Sequence, residues 1–328
     1  MEWTADVSTG EWLRERVDDP WRGTFHDVVP RGFEAYARVL HPASVQSRAS
    51  GEPLPPFDEW VGMPWQQSQQ VTADLVTDPA TWAETAAAFG TTLHPLAQWD
   101  SIVRSPEFGS NQTASPDGRW FVAPTQGELD PHHLAVLARE LVGHTSTADD
   151  VFAGLWEGRG GLLGRMGRQP TRAFFQAGDP ADADLARHNR MLGSSIGDRF
   201  NNVFRKPTWQ EGILSREISE GPRLRLPERA FVLFRGAVDE FAPDDWELRM
   251  PWRDLATEAA GGPPMSQSPS LLWPADRAWV MVSEVDFDST IVGGSRELVD
   301  AICRSPELEA LPLPADASLS WGADEVNR

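Results

Sequence analysis

The chain has 328 residues, a net charge of −20, an apolar fraction of 40% and 15 tryptophans against one tyrosine. That length supports a sizeable core in one large domain or two, and the apolar fraction excludes a disordered chain. A field of this sign repels nucleic acid and anionic membrane, which excludes both as expected partners and leaves a protein with a basic surface.

Residues 1–24 are polar and dotted with tryptophan, and read as a surface wrap. Residues 33–40 form the first predicted strand, ending at His41-Pro42. A loop rich in Pro, Ser and Gly follows, and residues 59–76 turn helical in their second half. Thr77-Asp78-Pro79 opens a predicted helix that runs through Trp82, Ala86 and Phe89 to Gly90. A short helix covers Leu96 to Val103, and residues 119–123 are strand-like. Leu129 to Val142 is the best helix of the first half: Asp130 caps it, Pro131 opens it, and Leu134, Leu137 and Leu141 share a face. Asp149 to Glu157 reads as one more short helix. Residues 171–177 form a predicted strand and 179–192 a polar helix. Residues 229–235 read as a further strand. Segments near 158–170, 193–227 and 259–270 are rich in Gly, Pro or Ser and read as flexible connectors.

The densest signal is Trp273 to Ser295. Residues 278–286 are β-branched or large and apolar on both faces, as in a central strand. A turn at Asp288-Ser289 leads to a return strand at 290–292. Gly293-Gly294 ends it, and Ser295 caps a helix reaching Arg304. The form Arg-Ala-aromatic-apolar occurs at Arg172, Arg229 and Arg277 with unequal spacing, as expected of similar strand starts rather than a repeat. It makes Trp279 a core anchor, with Phe174 and Phe231 as ring partners on neighbouring strands.

Lys206 is the only lysine, which reflects coding bias toward arginine rather than a device for binding anions. Cys303 is the only cysteine, so no disulfide forms within the chain, in keeping with a reducing cytoplasm. The N-terminal residues lack a basic stretch followed by an apolar one, and no run approaches the length of a membrane span. A cytoplasmic protein is the expectation.

The elements ARVLHP (37–42), HPLAQW (94–99), GHT (143–145), LWEG (155–158), LWPADRAWV, EVDFDSTIVGGS and DEVN (324–327) span most of the chain. In these the sequence resembles an uncharacterised family of actinobacterial proteins of unknown function. The resemblance implies a shared fold and a bacterial cytoplasmic setting, and no catalytic residue.

One cluster suggests chemistry. Glu284, Asp286 and Asp288 alternate along the 278–288 strand, which puts three carboxylates on one face about 6–7 Å apart, toward its solvated end. Hard divalent cations such as Mg²⁺ or Ca²⁺ take such oxygens. The same trio also fits a plain solvated edge. None of the seven histidines falls in a metal-ligand spacing, and none of the glycine runs matches a phosphate loop. Cys303 has no histidine partner in the pattern and reads as a small buried residue. Tryptophans beside acids (Trp60, Trp156, Trp246) fit a surface for a sugar or a cation, and fit a core equally.

The sequence therefore predicts one α+β domain, with two lobes as a variant. Its sheet is mostly antiparallel, with about five or six strands flanked by short helices. The expected function is non-catalytic binding of a protein or ligand by an acidic surface. No cofactor is predicted. The alternative is a metal-dependent hydrolase using Glu284, Asp286 and Asp288 with a divalent cation.

Overall fold

The computed structural model describes residues 1–18, 22–55, 57–105, 111–167 and 207–328. The strand at 171–177, the helix at 179–192, Phe174 and parts of the connectors at 158–170 and 193–227 lie outside them. The described residues fall into two compact units, one of Met1–Glu157 with Pro222–Arg328 and one of Gly158–Gly221.

The strands, numbered along the chain, are β1 (Glu2–Trp3), β2 (Ala35–Leu40), β3 (Ala43–Arg48), β4 (Leu75–Ala80), β5 (Gln112–Ala114), β6 (Trp120–Val122), β7 (Val151–Trp156), β8 (Arg165–Gly167), β9 (Thr208–Gln210), β10 (Leu224–Leu226), β11 (Arg229–Gly236), β12 (Leu271–Pro274), β13 (Val280–Val282), β14 (Ser289–Gly294) and β15 (Ala310–Pro312). The larger unit is α+β. Among the described residues its main sheet has nine strands in the order β1-β11-β7-β12-β13-β14-β2-β15, with β10 also on β11. A four-stranded sheet runs β4-β3-β6-β5. All the pairings are antiparallel. This is more sheet than the five or six strands that the pattern predicts. The extra strands are two to six residues long, too short to show a period.

Strand β7 corrects the helix predicted at 149–157. VFAGLW is a continuous apolar run, which fits a buried helix or a buried strand equally by pattern. Its place between β11 and β12 decides the matter: residues on both faces are buried, which suits the β-branched and aromatic members. A second correction is at 77–90. Pro79 does not open a helix. It lies in β4, an edge strand that tolerates a residue without an N–H. Helix α4 (Trp82–Phe89, the first helix labelled here by its place in the chain after α1 at Glu11–Arg16, α2 at Phe57–Gly62 and α3 at Trp65–Ala73) starts after Thr81. Thr81 and Glu84 form a capping box, and Gly90 closes the helix with φ 65°. Glu309, far away in sequence, accepts from the N–H groups of Trp82 and Ala83 at 2.6 and 2.8 Å. Burial pushes its carboxyl above the ordinary range.

Helix α5 (Trp99–Ile102) is shorter than predicted. Helix α6 (Pro131–Val142) matches its prediction, with Asp130 accepting from the N–H groups of His132 and His133. The β13–β14 hairpin is present, but β13 spans only Val280–Val282. Gly293-Gly294 does not end β14 but belongs to it, paired with Tyr36 and Ala35 of β2, and a Cβ on Gly293 would lie 2.8 Å from the rings of Phe33 and Tyr36. The final helix (Arg296–Arg304) is capped by Ser295, as predicted.

One core lies among Trp12, Phe25, Tyr36, Phe152, Trp273, Val280 and Ile291. Another joins the four-stranded sheet to α4 and α5 through Leu40, Trp82, Phe89, Trp99 and Phe121. Most described residues of the first 24 are exposed or half-buried, but Trp12 and Leu13 reach into the core. The connector at 259–270 is tied down. Ser266 donates to the Glu247 carbonyl at 2.6 Å, Ser268 to that of Leu129 at 2.7 Å, and the Trp252 indole to that of Gln267 at 2.8 Å.

In the smaller unit, β8 and β9 form a two-stranded ribbon. Ser215 caps a single helical turn (Arg216–Glu220), and the Arg216 guanidinium stacks 4.9 Å from the Trp209 ring.

Trp279 is fully buried, just ahead of β13 rather than within it. The proposed ring cluster does not form as predicted, since β7 and β12 separate β13 from the Phe231 strand. Removing a large buried ring leaves a cavity, so Trp279→Ala is expected to cost about 3–5 kcal/mol. A denaturant melt reads this directly, and wild-type stability in the variant would contradict the anchor role.

Candidate functional site

The chain passes from the main sheet into the smaller one through His41 and Pro42, between β2 and β3. Two polar side chains are buried at this crossing. Arg38 is 1% exposed. Its Nε donates to Ser289 Oγ at 2.9 Å and its Nη2 to Asp288 Oδ1 at 3.0 Å. Its Nη1 donates to the carbonyls of Pro95 and Ala97 at 3.1 and 2.7 Å. The guanidinium also stacks 5.5 Å from the Trp82 ring centre. A buried charge survives only when it is met in this way.

His41 is fully buried beside it. Its Nδ1–H donates to the Thr125 carbonyl at 2.6 Å, and its Nε2 accepts from Thr290 Oγ1 at 2.9 Å. Thr290 in turn accepts from Ser283 Oγ at 2.6 Å. Burial is the main force on the ring and pushes its pKa down to about 4. The chain Ser283–Thr290–His41 has the look of a relay, yet all three residues are at most 1% exposed and reach no substrate. Its role is structural.

Over this crossing opens a cleft of about 1610 Å³. Its walls are the ends of α4 and α5, residues 122–126 after β6, the turn at 286–289 and residues 319–328. Thr92, Ser101, Asn111, Gln126 and Ser320 give it neutral hydrogen-bonding groups, and Trp99, Phe287 and Trp321 give it aromatic ones. Trp99 is buried, whereas Trp321 is 76% exposed at the rim.

The wall at 319–328 is pinned by Asp324. This carboxylate accepts from His94 Nε2 at 2.8 Å, from the Gln98 N–H at 3.2 Å and from the Asn327 side chain at 2.8 Å. Burial opposes its ionisation, but these donors outweigh burial and hold the carboxyl below the ordinary range. Leu96 N–H donates to His94 Nδ1, which leaves the proton on Nε2, facing the carboxylate. Asn327 then pairs both ways with the backbone of Thr92, accepting at 2.8 Å and donating at 3.0 Å.

The acidic trio is arranged differently from the sequence reading. β13 ends at Val282, and Val285-Asp286 form a turn closed by the Phe287 N–H on the Glu284 carbonyl at 2.9 Å. The three carboxylates therefore do not alternate along one strand face. Arg229 takes two of them, Glu284 at 2.7 Å and Asp286 at 2.9 Å, while Asp288 belongs to Arg38. Burial raises the Glu284 carboxyl above its ordinary range against the pull of Arg229. Among the described residues no group of three His, Cys, Asp or Glu is placed to hold a metal ion.

The remaining candidates are structural. His133 Nδ1 meets Asp130 at 2.9 Å at the start of α6, and His26 Nδ1 meets the Val29 carbonyl at 3.0 Å. Cys303 is half-buried, and burial pushes its thiol up to about 11, so it stays protonated near neutrality. Arg38 and Asp324 are the residues that the pattern did not single out. The signal for Arg38 was a charge inside the apolar strand AYARVL, which a strand tolerates only with dedicated partners.

No family model, curated protein or solved structure matches the chain. Among the described residues no helix is long and apolar enough to cross a membrane.

Asp288→Ala leaves the Arg38 charge buried without its carboxylate, so it is expected to cost about 3–5 kcal/mol in a denaturant melt. Asp286→Ala, with a largely exposed side chain, is expected to leave the melt almost unchanged. His41 sets a pH dependence. The unfolded chain takes a proton on this ring near its ordinary pKa of 6.5, while the folded chain resists until about 4. Its share of stability is thus complete above pH 6.5 and declines as the pH falls toward 4, by on the order of 3 kcal/mol. His26, also held down by burial, acts in the same direction. Melts of His41→Gln across this window are expected to show a flatter pH profile than wild type; an unchanged slope would place the titration elsewhere.

Proposed function

We propose that the protein is a non-catalytic binding module of the cytoplasm, and that the cleft receives a polar segment of a protein partner. The make-up of the cleft carries this reading. Its rim offers neutral polar side chains such as Thr92, Ser101 and Gln126 beside the exposed Trp321. Of its charged groups, Arg38, Asp288 and Asp324 are already spent on structure. Aromatic side chains with hydrogen-bonding neighbours are the usual make-up of a recognition surface. The net charge of −20 favours a partner with a basic surface, with fast and salt-sensitive association.

The test is capture from cell extract at low and high salt, with Ser101→Arg as the control that fills the cleft. The wild-type chain is expected to retain a partner at low salt, to lose much of it at high salt, and to lose it altogether in the variant. No partner under either condition, or one retained equally by Ser101→Arg, overturns the reading.

The second reading is a metal-assisted hydrolase at Glu284, Asp286 and Asp288. Its support is the nearness of Asp286 and Asp288, which both line the cleft. The arginine partners of the trio weigh against it, because a cation there must displace a guanidinium. Calorimetry with Mg²⁺, Mn²⁺ and Ca²⁺ separates the two. The binding module gives no heat in the millimolar range, whereas heat lost in Asp286→Asn would favour the hydrolase.

A further inference from the structure

Several surface arginines of this acidic chain lie against carboxylates, as the half-buried Arg31 does against Asp18 and Asp316, and the exposed Arg235 against Asp150. Arg16 and Arg277 are different. Both are exposed, and among the described residues neither has a carboxylate within ion-pair distance. They converge on one indole instead. The Cζ of Arg16 lies 5.3 Å from the ring centre of Trp12, and that of Arg277 lies 5.4 Å from it. Trp12 itself is 4% exposed.

Each arginine has a local reason to be there. Arg16 follows Trp12 by one turn of α1, so the two share a helix face. Its Nη1 also lies 3.5 Å from where a Cβ on Gly32 would be. Arg277 sits in the turn between β12 and β13, where its N–H donates to the Pro274 carbonyl at 2.9 Å. Its φ is 58°, in the left-handed region that favours glycine. A long side chain is thus held against a backbone preference, and such outliers gather at ligand clamps.

Attraction to the indole accounts for each guanidinium alone. It does not account for two like charges that each lie within 5.4 Å of one ring centre with no carboxylate within ion-pair distance of either. An oxyanion does, because guanidinium forks match its geometry and its charge cancels their repulsion. We propose that Arg16 and Arg277 form a binding site for a small multivalent oxyanion, a phosphate or phosphomonoester, beside the Trp12 ring. The site is independent of the cleft and its partner.

The test is thermal unfolding of the full chain in phosphate and in chloride at matched pH and ionic strength, with O-phosphoserine as a third arm. Phosphate also stabilises proteins by exclusion from their surface, so the readout is the gain relative to variants. Arg277→Gly is the informative one, since its turn favours glycine and the variant is expected to fold as well as wild type. Wild type is expected to gain stability in phosphate beyond that of Arg277→Gly and Arg16→Gln. Arg225→Gln, which removes an exposed arginine elsewhere, keeps the full gain. Phosphate affinity read by phosphorus NMR is expected to fall about tenfold in either site variant. A larger response to phosphoserine than to phosphate identifies a phosphomonoester as the better ligand, and the reverse a free anion. Equal gains in wild type and Arg277→Gly, or no gain over chloride in wild type, overturn the proposal.

Discussion

A guanidinium group with 1% exposure governs the larger unit. Arg38 stands on β2, and its partners come from β14, from the loop at 95–97 and from the ring of Trp82 on α4. So little of the group reaches solvent that each donor needs a fixed acceptor. Those acceptors lie on segments that are far apart in sequence. Meeting them fixes how the smaller sheet and its helices stand against the main sheet within this unit. The cleft opens along the same line, and Arg38 and Asp288 form part of its wall. His41 adds a second buried tie at the same crossing, and Trp82 a third, through its indole donation to the His41 carbonyl at 3.0 Å.

Much of the α+β class was legible in the sequence, and the reasons are local. Asp130-Pro131 and Ser295 carry unambiguous helix starts, and 35–40, 229–236 and 289–294 are strands whose apolar content is dense enough to read. What failed was the assignment of short apolar runs. VFAGLW at 151–156 lacks a period that separates helix from strand, and only its neighbours β11 and β12 decide. Strands as short as Leu271–Pro274 and Ala310–Pro312 exist because their partners offer an edge, which a linear pattern does not contain. The serines of 259–270 were read as linker from composition alone. Their burial depends on carbonyls of Glu247 and Leu129, which nothing near them in sequence reveals.

The site was less legible than the fold. Alternating carboxylates drew attention to Glu284, Asp286 and Asp288, but a turn at 285–286 breaks the alternation, and two arginines from distant strands claim the charges. The residues that shape the cleft were hidden for the opposite reason. Arg38 looked like one more arginine in a chain rich in them, and Asp324 like one more acid near the end of the sequence. Their importance comes from burial and from partners more than 200 residues away in the cases of Asp288 and His94.

Strand β2 lies between β14 and β15, so residues 35–40 take both of their neighbours from beyond residue 288. During synthesis this apolar strand leaves the ribosome long before either neighbour exists. The loop that must close is long, and closing it costs chain entropy before any pairing repays it. The main sheet is therefore completed late, after most of the chain has been made, and until then β2 presents two unpaired edges. Its single arginine acts in that interval as a gatekeeper, since a charge inside AYARVL opposes pairing with another copy of the same strand.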